Sequence, residues 1–489
     1  MNIVILGGGT AGWLAAYGIA KALSHKHKIT VVESSQLGII GAGEGTTGLF
    51  SDFISGTFFP TNDIDIDEFI QETNATIKLG IHHVDWKGDG TGYMAPISLP
   101  PTGQQIPDNI FLHTLMINKN KLHLSAPSGL MYEFGVRVNR GVYQFDAVKV
   151  GEYFKKICLK HAKTSHIDAI VASVNLAEDG SIKELITDTG QVIAGDFFID
   201  CSGLKRVLMD KLDVAWHSYQ KNLPVNAALP FQLPLEENYP QITTAHALKN
   251  GWMWRIPTQT RYGCGYVYDD THISPEQAQQ EVEQLLGHNI DPIRNIKFTA
   301  GRGEMLWKKN CLSLGLAAAF AEPLEATSIH TTVAQLITFI FEYLQDTKEM
   351  TVIESRVNEY NRNMIRMYDD IKDFLVLHYQ GGRTDSEFWR KITAKETTTD
   401  RVEEILNMCS HGLVPSIYTF NGSYLGMIGS GLHNWTLAGL DKITADHART
   451  QLLKFNSFAQ AKMETDQYLT NFSNQIQESL KRQENNLTL

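Results

Sequence analysis

Three patterns of apolar spacing run along this chain, and each predicts a different kind of element. Short unbroken apolar runs ending at Leu6, Val32, Ile199 and Leu316 have the form of strands buried on both faces. Apolar residues three and four apart predict helices, one carrying Ala15, Ala16, Ile19, Ala20 and Leu23, another Ile329, Val333, Leu336, Ile340 and Leu344. Alternation from Ile167 to Asp196 predicts a strand meander, and Leu223 to Tyr268 is strand-rich. Residues 65–81 read as a helix with Asp65, Asp67 and Glu68 at its N-terminal end and Ile70, Ile77 and Ile81 on one face. Lys78 falls at the edge of that face, where a lysine ordinarily snorkels to the surface. Residues 142–163 also read as helical, residues 85–140 as loops with short strands, and the chain beyond 350 as largely helical.

The first apolar run leads directly into Gly7-Gly8-Gly9-Thr10-Ala11-Gly12, and the second strand closes on Glu33, 21 residues past Gly12. Strand, G-x-G-x-x-G, helix, strand and acid in this order form the dinucleotide-binding fingerprint. Gly7, Gly9 and Gly12 let the backbone approach a pyrophosphate, Thr10 and Ala11 open the helix whose positive end faces it, and Glu33 suits an unphosphorylated ribose. A second match at Gly43, Gly45 and Gly48 lacks a leading strand and a following periodic helix, so it reads as a loop whose backbone approaches a ligand closely. The expected fold is therefore α/β, with a Rossmann-type N-terminal domain, a β-rich middle region and a helical C-terminal part.

Charge and cysteines narrow the class. A net charge of -11 argues against nucleic acid or an anionic membrane surface as partner. The 5 cysteines are scattered, with neither disulfide-framework nor metal-ligand spacing, so no metal and a reducing, cytoplasmic setting are expected. No apolar stretch reaches the roughly 18 residues of a membrane span, and the N-terminal apolar run meets glycines rather than a cleavage site.

Two further segments carry chemistry. Gly251-Trp252-Met253-Trp254-Arg255-Ile256-Pro257 places two of the chain's 8 tryptophans one residue apart, which is either a functional wall or a buried aromatic strand face with no chemistry. On a strand their indoles share one face, and Pro257 ends the ladder. Glu325-Ala326-Thr327-Ser328 precedes the periodic helix, so free backbone N–H groups and a positive dipole end stand there, fit for an anion. A plain N-cap with Thr327 or Ser328 as the cap is the alternative.

Together these residues resemble the flavin-dependent halogenases of the tryptophan-halogenase family, whose hallmarks are an N-terminal G-x-G-x-x-G and a W-x-W-x-I-P string. Gly41 to Thr47 looks like the family's loop between flavin and substrate sites, and Asn74 to Lys78 with Asp85-Trp86 looks like its lysine-bearing segment. Asp200 to Gly203, Glu322 to Ser328, His378-Tyr379 and Phe388-Trp389 also match family motifs. The resemblance implies a fold of the flavin monooxygenase kind, with a halogenase core over residues 1–350 and a helical region over 351–489 completing the substrate site. It implies FAD at the fingerprint and at Gly43 and Glu44, reduced by a separate flavin reductase, and chloride or bromide at the Thr327 and Ser328 amides. Lys78 is then the essential lysine and Glu325 its acidic partner. Trp252, Trp254 and Pro257 wall the active site, and the substrate is an electron-rich, indole-type aromatic. A homodimer is compatible with the resemblance. The family usually has glycine where this chain has Ser328. If that position needs φ > 0, serine carries strain of about 1 kcal/mol, and its side chain narrows the halide pocket. The match is poor from Ser416 to Leu432, where the family clamps free tryptophan. An FAD-dependent aromatic hydroxylase shares the fingerprint and fold but requires neither the lysine nor the paired tryptophans. A non-catalytic flavoprotein is a further alternative.

Overall fold

The computed structural model describes residues 1–38, 44–59, 63–97, 108–136, 141–344, 351–415, 430–454 and 457–486. The unbroken apolar runs pair in a six-stranded sheet in the order Trp307–Lys308, Cys311–Ser313, Phe197–Asp200, Asn2–Leu6, Lys28–Glu33, Thr164–Asp168. Its neighbours are parallel except the first pair. Helix Thr10–Ala22 is buried from Gly12 to Lys21 between this sheet and its helical neighbours. Gly18 permits the packing, because a Cβ there would lie 3.2 Å from both Ile340 and Leu336.

The tryptophan-bearing strand Gly251–Pro257 sits centrally in a seven-stranded sheet, ordered Ile296–Lys297, Ala227–Pro234, Arg261–Tyr268, Gly251–Pro257, Thr243–Ala247, Gly80–Val84, Gly92–Pro96. Its two faces part as period-two spacing requires. Trp252, Trp254 and Ile256 enter the main core, whereas Met253 packs with Tyr266 and Tyr268 in a separate one. The main core runs from Ile3 to Ala461, so the long helix Glu354–His378 and the C-terminal helices pack into the same apolar mass as the N-terminal sheet.

Three element readings require correction. Residues 65–81 are not one helix. Asp65 caps a short helix, Ile66–Glu72, through the Asp67 and Glu68 amides. Asn74 then takes a left-handed φ of 52°, and the chain continues as strands Thr76–Ile77 and Gly80–Val84. Ile77 and Ile81 satisfy either period, and the left-handed Asn74 decides between them. Residues 142–163 begin as strand Tyr143–Phe145 before Asp146 caps helix Ala147–Cys158. Residues 85–140 contain helices Asp108–Ile117 and Pro127–Glu133 besides strand Gly92–Pro96. No helix among the described residues is long and apolar enough to cross a membrane, and all five cysteines are free and buried.

Candidate active site

The glycine loop is shaped by close approach. Gly7 has φ 115°, and a Cβ there would lie 2.1 Å from the Cys201 carbonyl oxygen; one on Gly12 would lie 1.9 Å from the Gly7 carbonyl. Gly9 differs, with nothing within 4 Å of its Cβ position, and it starts helix Thr10–Ala22 with no side-chain cap. The helix start is therefore open at the Gly9 Cβ position, and no side chain caps its first amides. Thr10 turns its hydroxyl to the Ala147 carbonyl at 2.9 Å, and Ala11 packs at Gly315, where a Cβ would come within 2.8 Å of its own. Glu33 Oε1 is held by Lys155 at 2.6 Å and His166 at 2.9 Å. Its Oε2 lies over Gly8, 1.4 Å from where a Cβ would stand. One carboxylate oxygen is fixed from behind, and the other is presented at the loop.

Gly43 lies outside the described residues. Glu44 and Gly45 form a two-residue strand against Gln144 and Phe145. Burial, then the Asp146 charge, pushes the Glu44 carboxyl up to about 7.

Lys78 is no surface lysine. It follows strand Thr76–Ile77, is 0% exposed, and its backbone N–H donates to Val142 O at 2.8 Å. Its Nζ reaches Thr46 O at 3.5 Å. A Cβ on Gly45 would lie 3.1 Å from that Nζ and 3.3 Å from the Ala326 Cβ, so lysine, loop and the turn before helix Thr327–Thr338 meet at one point. Burial lowers the ammonium to about 8, with Glu325 opposing the shift.

Glu325 and Ala326 occupy consecutive left-handed positions, φ 64° and 51°. Such backbone in non-glycine residues costs about 1 kcal/mol or more each, and it turns the Glu325 side chain inward. Its Oε1 lies 3.0 Å from His83 Nε2 and 3.2 Å from His378 Nε2. Burial pushes this carboxyl up, but hydrogen bonding to His378 and His83 outweighs it and holds the group well below the usual range. Burial holds His83 down at about 4. His378 donates from Nδ1 to the Phe374 carbonyl at 2.8 Å, which turns Nε2 toward Glu325.

Helix Thr327–Thr338 starts after Ala326, so neither Thr327 nor Ser328 is the cap. Both occupy its first turn, where amides have no intrahelical acceptor. Ser328 is helical, with no positive φ, so serine carries no backbone strain here. Both residues border a cavity of about 20 Å³ that Phe320, Glu322 and Tyr368 also line, room for roughly one water-sized particle.

Trp252 and Trp254 are buried on one face with ring centroids 6.2 Å apart, and Trp252 packs on Trp86 at the same spacing. Gly265, paired opposite Trp254, makes space for it, since a Cβ there would lie 2.1 Å from the indole. The Pro257 carbonyl accepts from Thr76 Oγ1 at 2.6 Å, tying the end of the tryptophan strand to the lysine segment.

Sequence reasoning missed Glu322, His83 and the role of His378. Glu322 is 2% exposed, accepts from Tyr379 Oη at 2.9 and 3.0 Å, and faces the Trp252 N–H without an aligned hydrogen bond. Burial pushes it up to about 8, so it is neutral at pH 7. An acid three residues before Glu325 was the available signal; nothing in the linear pattern marks His83.

The sequence profile of the tryptophan halogenase family matches residues 2–422. The chain belongs to the tryptophan halogenase family. It is 30% identical to a tryptophan 6-halogenase of Streptomyces toxytricini over 88% of this chain and 90% of that one. It is 29% identical to a tryptophan 7-halogenase of a Kutzneria species over 89% and 87%. A solved flavin-dependent halogenase from Xanthomonas campestris superposes with a TM-score of 0.82 at 26% identity, covering 98% of this chain and 96% of that one. The protein is thus a flavin-dependent halogenase, an oxidoreductase using FAD and a halide. The halogenase's open helix start at Gly9, its crowded Gly7 and Gly12, and the Glu33 oxygen presented at the loop suit the dinucleotide part of that cofactor.

Proposed function

We propose that this halogenase transfers a halogen to an electron-rich, indole-type carbon, with Lys78 and Glu325 as its catalytic residues. The observation that carries this reading is the meeting of Lys78 Nζ and Ala326 Cβ at Gly45, which puts the lysine beside the turn that bears Glu325. Gly7, Gly9, Thr10, Ala11, Gly12 and Glu33 would hold FAD, which, reduced by a separate flavin reductase, would share with the halide the reduction of O2 that gives hypohalous acid and water.

The chain's own groups do the rest. The Thr327 and Ser328 amides hold the halide, as charge-bearing helix starts do. Lys78 takes up the hypohalous acid, either by hydrogen bonding or as the haloamine with loss of water. The aromatic carbon then takes the halogen, and Glu325 accepts the ring proton and passes it to the leaving group, which departs as water or as the free lysine amine. Buried Trp252 and Trp254, with Pro257 closing their strand, wall the site and exclude water. Residues 1–350 form the core of this reading and 351–489 complete the substrate side, with His378 as their contribution at Glu325. Purified protein given FAD, a flavin reductase, NADH, chloride or bromide and a panel of indoles should yield halogenated product by mass spectrometry. Hydroxylated product, or none, refutes the reading.

A further inference from the structure

We infer that His83, His378 and Glu325 form a binding site for a divalent transition-metal ion of the Zn²⁺ type, and that metal bound there silences the enzyme. The expectation of no metal rested on linear spacing, whereas these donors converge only in space. One ligand atom from each of His83, His378 and Glu325 lies within 4.8 Å of the others, and the Nε2 atoms of His83 and His378 stand 3.0 and 3.2 Å from Glu325 Oε1. Bonds of about 2.0–2.1 Å in tetrahedral geometry place zinc's ligands roughly 3.3 Å apart, which the two histidine–glutamate separations already approach.

Both rings are oriented as ligands. The His378 Nδ1–H is occupied by the Phe374 carbonyl, the backing that metal-bound histidines typically have. His83 is 0% exposed, stacked on Tyr93 at 4.7 Å and edge-on to Trp86, and its Nε2 points at Glu325 Oε1, 3.0 Å away. A cation there would sit between the buried Nε2 lone pair and the carboxylate and take both as ligands. Lys78 directs its ammonium to the Thr46 carbonyl. A second convergence, His25, Asp63 and His161, is less suited. Lys21 already pairs with Asp63 at 2.7 Å, and the two imidazoles stack face to face at 3.6 Å.

A metal on Glu325 Oε1 removes its capacity to accept a proton; this consequence rests on the proposed role of Glu325, while the binding itself does not. The test uses metal-stripped full-length protein, with Zn²⁺ content read by elemental analysis after desalting and Co²⁺ as a spectroscopic probe. Wild type and His161→Ala should retain about one Zn²⁺ per chain and give the Co²⁺ visible bands, whereas His83→Phe should weaken binding about 100-fold. His83→Gln serves if the phenylalanine variant loses its melting transition or FAD binding. Failure of the wild type to retain Zn²⁺, equal retention by the His83 variant, or loss in His161→Ala overturns the site. Zn²⁺ should also stop halogenation reversibly on chelation. Metal bound through His83 with product formation unchanged would uphold the site and overturn both the silencing and the role given to Glu325.

Discussion

The glycine loop at Gly7 to Gly12 and the pocket around Glu325 are built in opposite ways. The loop is six contiguous residues whose shape is set by contacts of its own backbone with Cys201, Gly7 and Glu33. The pocket draws on the Glu44–Gly45 strand, Lys78, His83, the 322–328 turn and His378. In the loop, conformation comes first, and the helix start is left uncapped with a clear space at Gly9. In the pocket, burial comes first and shifts Glu44, Lys78, His83 and Glu322. A substitution in the loop should therefore act on one ligand, whereas one in the pocket should shift several coupled groups.

The largest expected effect separates the two regions outright. Lys78→Ala should cut halogenated product about 1000-fold, within the range of a lost catalytic group, while FAD affinity and flavin reoxidation stay near wild type. Normal product would return Lys78 to a structural role. With its ammonium at about 8, the free amine is the minor form at pH 7 and the major one at pH 9. If the amine captures the halogen, product per flavin oxidised should rise through pH 8; a fall would assign the work to the ammonium.

Next comes the loop. Gly9→Asp should weaken FAD binding by about 100-fold or more by setting a carboxylate against the pyrophosphate. Gly9→Ala should cost only a few-fold, because its Cβ meets nothing within 4 Å. Fluorescence titration of both variants measures this contrast, and equal losses would show that the loop is limited by its fold rather than by its ligand.

The same difference explains what the sequence disclosed. Strand, glycines, helix and Glu33 are legible because their function depends on contiguous residues, and the paired tryptophans because period two is rigid. Lys78 looked like a surface lysine because the apolar positions Ile70, Ile77 and Ile81 fit a helix; left-handed Asn74 and the strands after it place the lysine inside. His83 and Glu322 acquire their character from burial among distant segments, which no local pattern records. The family resemblance supplied Glu325, Thr327 and Ser328 with roles and His378 only as part of a matching motif, and it left His83 out.

Glu322 gives a smaller effect that belongs to the pocket alone. Its carboxyl is raised from 4.5 to about 8, so the folded state binds more protons than the unfolded state between those values. Stability from this group is fully present below pH 4.5 and is lost as pH rises through about 8. Glu322→Gln keeps the neutral shape, so its melting temperature should gain on the wild type across that window and run parallel above it. Parallel curves throughout would mean that Glu322 is solvated.

The smallest expected effect concerns halide choice, where the two regions resemble each other most, since Ser328 also offers a helix start. Because Ser328 is helical, replacing it by glycine relieves no strain and acts through pocket volume and a lost hydroxyl. Ser328 borders a cavity of about 20 Å³, where a serine side chain in place of glycine adds bulk without charge. Bromide sheds water more readily than chloride and is easier to oxidise, so bromination should outpace chlorination at equal concentrations. Ser328→Gly should shift that ratio toward chloride by a few-fold, while Thr327→Ser, which leaves the amide in place, should not. Competition between equimolar chloride and bromide with mass-spectrometric readout checks both. Preferential chlorination by the wild type, or a ratio unmoved by Ser328→Gly, would mean that the serine side chain faces away from the halide and that the amides alone set the choice.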